Sequence, residues 1–165
     1  MSKPRIAING FGRIGRTITR IAKKRGRYDV VAVNDLTSAE DLAYAFRYDS
    51  IHGLYPGEVS VDGDCIEIDG DPFRVLGEKD PAKLPWAELG IDYVVESTGK
   101  FRYLAELEQH LTAGARRVLL TVPCKDSLDA TLVSGVNDHV ITPDARIISN
   151  ASCTTNCAAP MVKVL

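Results

Sequence analysis

Apolar positions along the chain alternate between short continuous runs and stretches spaced at three and four, a switch between strand and helix periods. Ile6, Ala7 and Ile8 form the first run, which ends at Asn9-Gly10. Ile14, Ile18, Ile21 and Ala22 follow at helical spacing, and Gly26 stands where a helix would close. Val30-Val31-Ala32-Val33 is too continuous for a strand with one wet face and fits one covered on both sides, ending at Asn34-Asp35. The three pieces have the size of a strand–helix–strand crossover, about thirty residues.

Thr37-Ser38-Ala39-Glu40 has the hydroxyl-to-acid spacing of a capping box, opening a helix with Leu42 and Phe46 on one face. Between residues 57 and 76 the texture becomes alternating, with Val59/Val61 and Ile66/Ile68 punctuated by the hairpin dipeptides Asp62-Gly63 and Asp69-Gly70. Pro81 and Pro85 break the chain before a third covered strand, Tyr93-Val94-Val95, which ends at Glu96-Ser97-Thr98-Gly99. A helix from Tyr103 to Thr112, closed by Gly114, precedes the strand Val118-Leu119-Leu120 and its end at Thr121. Strand-like pieces around Leu132 and Ile147 complete the pattern. It predicts an α/β fold, a Rossmann-type doubly wound and mostly parallel sheet with a small antiparallel insertion. Residues 161–165 are apolar with no polar tail, which reads as a truncated polypeptide. The expected division is a nucleotide-binding domain over 1–152 and, over 153–165, the first helix of a catalytic domain cut short.

Composition narrows the function classes. With 45% hydrophobic and 25% charged residues and a net charge of −2, the chain suits one soluble domain with no global attraction to nucleic acid or anionic membrane. The basic cluster from Arg13 through Arg16, Arg20, Lys23, Lys24 and Arg25 to Arg27 reads as the solvated face of the first helix, with phosphate attraction at its front end. No apolar run approaches the roughly 18 residues of a membrane span. Cys65, Cys124, Cys153 and Cys157, with no leader-like start, suggest reduced thiols in a cytoplasm. A metal site is not supported, because His52, His110 and His139 lie far apart and no cysteine pair has a two-residue spacer.

Two segments carry chemistry. Gly10-Phe11-Gly12-Arg13-Ile14-Gly15 is a G-x-G-x-x-G match between a strand and a helix. There Gly10 permits a tight turn, Gly12 the approach of a pyrophosphate, and Gly15 close helix–strand packing, while the helix start offers free N–H groups to phosphate and Arg13 adds charge. Asp35, at the end of the second strand, suits a ribose hydroxyl. A 2′-phosphate about 4 Å from it would be repelled by roughly 4 kcal/mol at an effective dielectric near 20, so the expected cofactor is NAD rather than NADP. The second segment, residues 149–157, sets Cys153 at or near a helix start, where the dipole favours the nucleophilic thiolate. Pro160 should kink that helix or mark where its regular part begins.

Residues 9–16, Asn34-Asp35-Leu36, residues 96–99 and residues 149–157 together closely resemble phosphorylating glyceraldehyde-3-phosphate dehydrogenase, over nearly the whole chain but only the first half of that enzyme. The resemblance implies that Cys153 attacks the aldehyde of glyceraldehyde 3-phosphate, that a thiohemiacetal passes its hydride to NAD, and that inorganic phosphate cleaves the resulting thioester to an acyl phosphate. It implies that Ser152 and Thr154 belong to the phosphate-handling region, although hydroxyls at a helix start are also ordinary caps. Asn34, Asp35 and Lys79 match the adenosine end of the cofactor path; Thr98, Gly99 and Thr121 match its nicotinamide end. Lys79 stands where many relatives carry Arg, and Cys124 where many carry a small residue; Cys157 reads as packing. Also implied are a catalytic histidine after the cysteine, a second domain holding the substrate, a homotetramer and a role in glycolysis. Without those parts the 165 residues are expected to be inactive. The alternatives are erythrose-4-phosphate dehydrogenase, which shares the cysteine chemistry, and a stand-alone dinucleotide-binding module. Aspartate-semialdehyde dehydrogenase fits less well, because its cysteine is flanked differently.

Overall fold

The computed structural model describes residues 2–165. Strand β1 (Arg5–Asn9), helix α1 (Arg13–Arg25) and strand β2 (Asp29–Asn34) form the expected crossover, with β1 and β2 parallel neighbours. Helix α2 (Ala39–Arg47) leads into a two-stranded ribbon of β3 (Tyr48–Asp49) and β4 (Gly53–Leu54). The meander β5 (Val59–Asp62), β6 (Cys65–Ile68) and β7 (Asp71–Leu76) follows. Then come β8 (Tyr93–Glu96), α3 (Leu104–Thr112), β9 (Arg117–Leu120), β10 (Ala130–Thr131), β11 (Ile147–Ser149) and α4 (Cys153–Val164).

The main sheet runs β10-β11-β9-β8-β1-β2-β7-β6-β5, parallel from β10 to β7 and antiparallel across β6 and β5. This is the Rossmann-type doubly wound arrangement with its antiparallel insertion. The Asp69-Gly70 hairpin forms as read, with φ +52 and +81 at the two turn residues. In the other hairpin Asp62 still pairs with Cys65, so the turn residues are Gly63 and Asp64, one position later than the dipeptide suggests. The cap of α2 is likewise Ser38 rather than Thr37, its hydroxyl accepting from the Asp41 N–H at 3.2 Å.

Pleat alternation splits the core. Ile6 and Ile8 of β1 face one side, where Phe11, Leu42, Phe46 and Phe73 join them under α2. Ala7 faces the other side, with Ala32, Val94, Ile91 and Trp86, and α3 covers the neighbouring cluster of Leu107, Val118, Leu120 and Ile147. Phe11 is fully buried and stacks on Phe46 at 6.1 Å, a contribution of about 1.5–3 kcal/mol by burial alone.

Helix α1 departs from the sequence reading twice. It packs through its small residues Gly15, Thr19 and Ala22, while Ile14 and Ile21 remain exposed. Ile14 and Ile18 instead line an open apolar cavity of about 760 Å³ over β1, β8 and β9. Nor are its cations simply a solvated face. Arg20 donates to the carbonyls of Phe46 at 2.6 Å and Gly53 at 3.0 Å, and Lys23 to Ile68 O at 2.9 Å and Asp71 at 2.8 Å. These side chains cross to the ends of neighbouring elements and close carbonyls left open there. No helix among the described residues is long and apolar enough to cross a membrane.

Candidate functional site

The parallel register aligns the ends of five strands. Asn34, Asn9, Glu96, Leu120 and Ser149 are successive Cα partners across β2, β1, β8, β9 and β11. Whatever follows each of them therefore emerges on one edge, the carboxyl edge, where open α/β sheets take ligands. The chain order reverses there, since β1 lies between β2 and β8, so the crevice beside Gly10 sits at the switch point.

A cleft of about 550 Å³ opens at that point, lined among others by Gly10, Gly12, Asn34, Asp35, Lys79 and Thr98. Gly10 has φ +91, and a Cβ there would lie 2.6 Å from the Thr98 nitrogen, so only glycine lets the two loops touch. A Cβ on Gly15 would collide with the Gly10 carbonyl, whereas one on Gly12 meets nothing within 4 Å and would project into open space. Gly12 is also the N-cap of α1 and supplies no side chain to cap it, leaving the first-turn N–H groups available. Asp35 fastens this loop: one carboxylate oxygen accepts from the Phe11 N–H at 2.8 Å, the other from Thr37 N–H at 3.3 Å. An uncapped helix start, an unobstructed glycine and a strand-end carboxylate in one cleft fit a dinucleotide.

The cysteine lies along the same edge. After Ser149, Ala151 takes the left-handed conformation at φ +57, its N–H held by the Ser149 hydroxyl at 3.1 Å. Ser152 then caps α4, its Oγ accepting from Thr155 N–H at 2.9 Å and lying 2.9 Å from the Thr154 hydroxyl. Cys153 is the first residue of α4 and is exposed, bordering the apolar cavity beside Ile14, Leu119, Thr121, Asn150 and Asn156. Cys157, read as packing, is exposed too, because α4 buries none of its residues. Pro160 lies inside α4, which continues to Val164 without a break.

Not every predicted site residue reaches the cleft. Phe11 is core and contributes only its N–H, Ile14 and Thr121 line the cavity beside Cys153, and Arg13 pairs with Asp49 at 3.6 Å. Gly99, at φ +70, turns the chain between Thr98 and Lys100. Conversely, Asn9, Glu78, Ser97, Lys100 and Phe101 line the cleft although the sequence reading gives them no role there. Asn9 and Ser97 carry a usable signal, since both sit at strand ends within the segments that bear the resemblance. No group of three or more potential metal ligands occurs among the described residues.

The glycine turn, helix start and strand-end carboxylate at a switch point define a Rossmann-type dinucleotide-binding domain. Residues 4–104 match the family described as glyceraldehyde 3-phosphate dehydrogenase, NAD binding domain. The chain belongs to that family, and NAD is its cofactor. It is 52% identical over 161 residues to a glyceraldehyde-3-phosphate dehydrogenase of Debaryomyces hansenii, covering 97% of this chain and 48% of that protein. Proteins of the same name from Thermotoga maritima and Geobacillus stearothermophilus are each 50% identical, over 98% of this chain and 49% and 48% of theirs. The chain thus spans about half the length of the curated relatives it matches.

Proposed function

We propose that this chain is the cofactor-binding and nucleophile-bearing part of a phosphorylating glyceraldehyde-3-phosphate dehydrogenase. Residues 1–152 form the NAD-binding domain, and residues 153–165 the first helix of a catalytic domain. The observation carrying this reading is the shared edge: Asn34, Asn9, Glu96, Leu120 and Ser149 stand in one row, so the glycine turn and Cys153 both emerge from the carboxyl end of one sheet. Strands about 4.8 Å apart put roughly 19 Å between the β2 and β11 ends, room for an extended dinucleotide running from Asp35 towards the cysteine.

Asn34, Asp35 and Lys79 hold the adenosine end, Gly10, Gly12 and the start of α1, with Arg13 nearby, the pyrophosphate, and Thr98, Gly99 and Thr121 the path towards Cys153. NAD, when bound, supplies the hydride acceptor. The Cys153 sulfur attacks the carbon of glyceraldehyde 3-phosphate to give a thiohemiacetal; oxidation leaves a thioester. Inorganic phosphate, received beside Ser152 and Thr154, displaces the sulfur and releases an acyl phosphate. Among the described residues bordering the cavity beside Cys153 there is no histidine, carboxylate or lysine, so general-base help worth typically ~10²–10⁴-fold is missing there and the span turns over negligibly alone. The complete protein is a cytoplasmic homotetramer acting in glycolysis.

Calorimetric titration tests the cofactor site. The chain should bind NAD in preference to NADP, and Asp35→Asn should weaken NAD by about 10-fold, the scale of one charge-assisted hydrogen bond, while narrowing the preference. Equal affinity of the unaltered chain for both nucleotides would refute Asp35 as the ribose ligand.

A further inference from the structure

Behind the cleft wall lies a polar network centred on Glu96, His110 and Trp86, three residues to which the preceding chemistry gives no role. Glu96, the last residue of β8, is fully buried, as are His110 on α3 and Trp86, the chain's one tryptophan. One Glu96 carboxylate oxygen accepts from the N–H of Thr98 at 2.8 Å and from the Thr98 hydroxyl. The other accepts from the Asn9 side-chain amide and faces His110 Nε2 at 3.2 Å. Asn9 in turn accepts from the Asn34 amide at 2.7 Å, and Asn34 clasps the Glu78 backbone, donating to its carbonyl at 2.8 Å and accepting its N–H at 2.9 Å. Asn9, Asn34, Glu78 and Thr98 all line the cleft, on both of its walls.

Donor chemistry fixes the direction of every link. Indole N–H can only donate, and Trp86 Nε1 lies 3.1 Å from His110 Nδ1, so Nδ1 is the acceptor. The ring proton of neutral His110 is therefore on Nε2, where it donates to Glu96. Donors thus converge on Glu96 from both sides, four of them on two oxygens, and only an ionised carboxylate offers acceptors to all.

We infer that Glu96 is a positioning residue of the NAD site: its carboxylate, locked from behind by the Trp86–His110 pair, holds Thr98 on one wall and, through Asn9, Asn34 and Glu78 on the other. The inference rests on the cleft beside Gly10 and Thr98 being the cofactor site. Glu96→Gln, with its oxygen kept towards Thr98, keeps the shape but turns an amide donor against both Asn9 and His110. Trp86→Phe frees Nδ1 to carry the ring proton, so that His110 Nε2 can accept from the new amide.

Two measurements test this. Long-range nitrogen–proton NMR of the unaltered chain should show His110 protonated at Nε2 and bare at Nδ1; a proton on Nδ1 overturns the relay without any variant. NAD titration should move the amide signals of Gly10, Gly12 and Thr98. Glu96→Gln should weaken binding about 10-fold, the cost of leaving a buried donor unsatisfied, and Trp86→Phe added to it should recover part of that loss, by relieving the His110 contact alone, although it removes core packing. A purely structural role predicts the opposite, a double variant worse than the single. If NAD shifts signals elsewhere, the site reading fails; if it shifts these but Glu96→Gln binds as well as the unaltered chain, only the role of Glu96 fails.

Discussion

Ala151 is the residue on which the placement of the cysteine turns. An L-residue with φ +57 sits in a region that glycine enters freely and a branched side chain resists, and here it redirects the chain from β11 into the start of α4. Ala151→Val should destabilise the chain by about 1–3 kcal/mol in urea unfolding. It should also change the rate at which iodoacetamide labels Cys153 relative to Cys157, read by peptide mass spectrometry; unchanged stability and labelling would show that the turn tolerates a branched residue. Nothing in the letters Asn150-Ala151-Ser152 announces a left-handed residue, because alanine there reads as helix or strand. Gly10, by contrast, is legible: standing between strand and helix with two more glycines at fixed intervals, it marks a turn built for close approach of a phosphate. The Glu96–His110 contact is not legible, since residues fourteen apart in sequence meet only once α3 has folded back over β8.

At the scale of elements, strand and helix periods locate the main strands and helices correctly, but period alone misjudges how α1 sits. Apolar spacing marks which residues avoid water, and by that measure Ile14, Ile18, Ile21 and Ala22 form the packed stripe. Ala22 and, in part, Ile18 do pack, but close approach to the sheet also selects Gly15 and Thr19 and leaves Ile14 and Ile21 exposed. The three-residue strand β11 is also hard to foresee, for much of its fastening comes from outside the sheet. Asp129 accepts from the N–H groups of Arg146 at 2.7 Å and Ile147 at 2.9 Å. The Ile147 bond, with the Arg146 bond after it, holds the Asp129 carboxyl below the usual carboxylate range. A lowered carboxyl stabilises the fold in its ionised form. Its contribution is fully present above the unfolded carboxyl's value near 3.9 and is lost as pH falls through the lower folded value. Hydrogen exchange of the Ile147 amide should therefore accelerate, relative to neighbouring strands, at the acid end of that window, and Asp129→Asn should abolish the acid-dependent part. Exchange that keeps its pH profile in the variant would assign the effect to another group.

Across the whole molecule, βαβ logic carries most of the prediction: once three covered strands alternate with helices, a parallel sheet and a ligand crevice at the reversal follow from connection rules. What the rules do not supply is the common level at which Asn34, Asn9, Glu96, Leu120 and Ser149 end. Added length should be tolerated very unequally as a result. Two extra glycines after Gly26 or Gly90, exposed or half-buried turns before β2 and β8 that both take φ +59, should leave nucleotide affinity and melting temperature nearly unchanged. One extra residue within Val94-Val95 would exchange the side chains of the strand's two covered faces and carry Thr98 off the line, abolishing binding. The five aligned ends act as a stop to which every strand has been trimmed, so the gene can drift in length at the amino edge of the sheet but not inside the strands themselves.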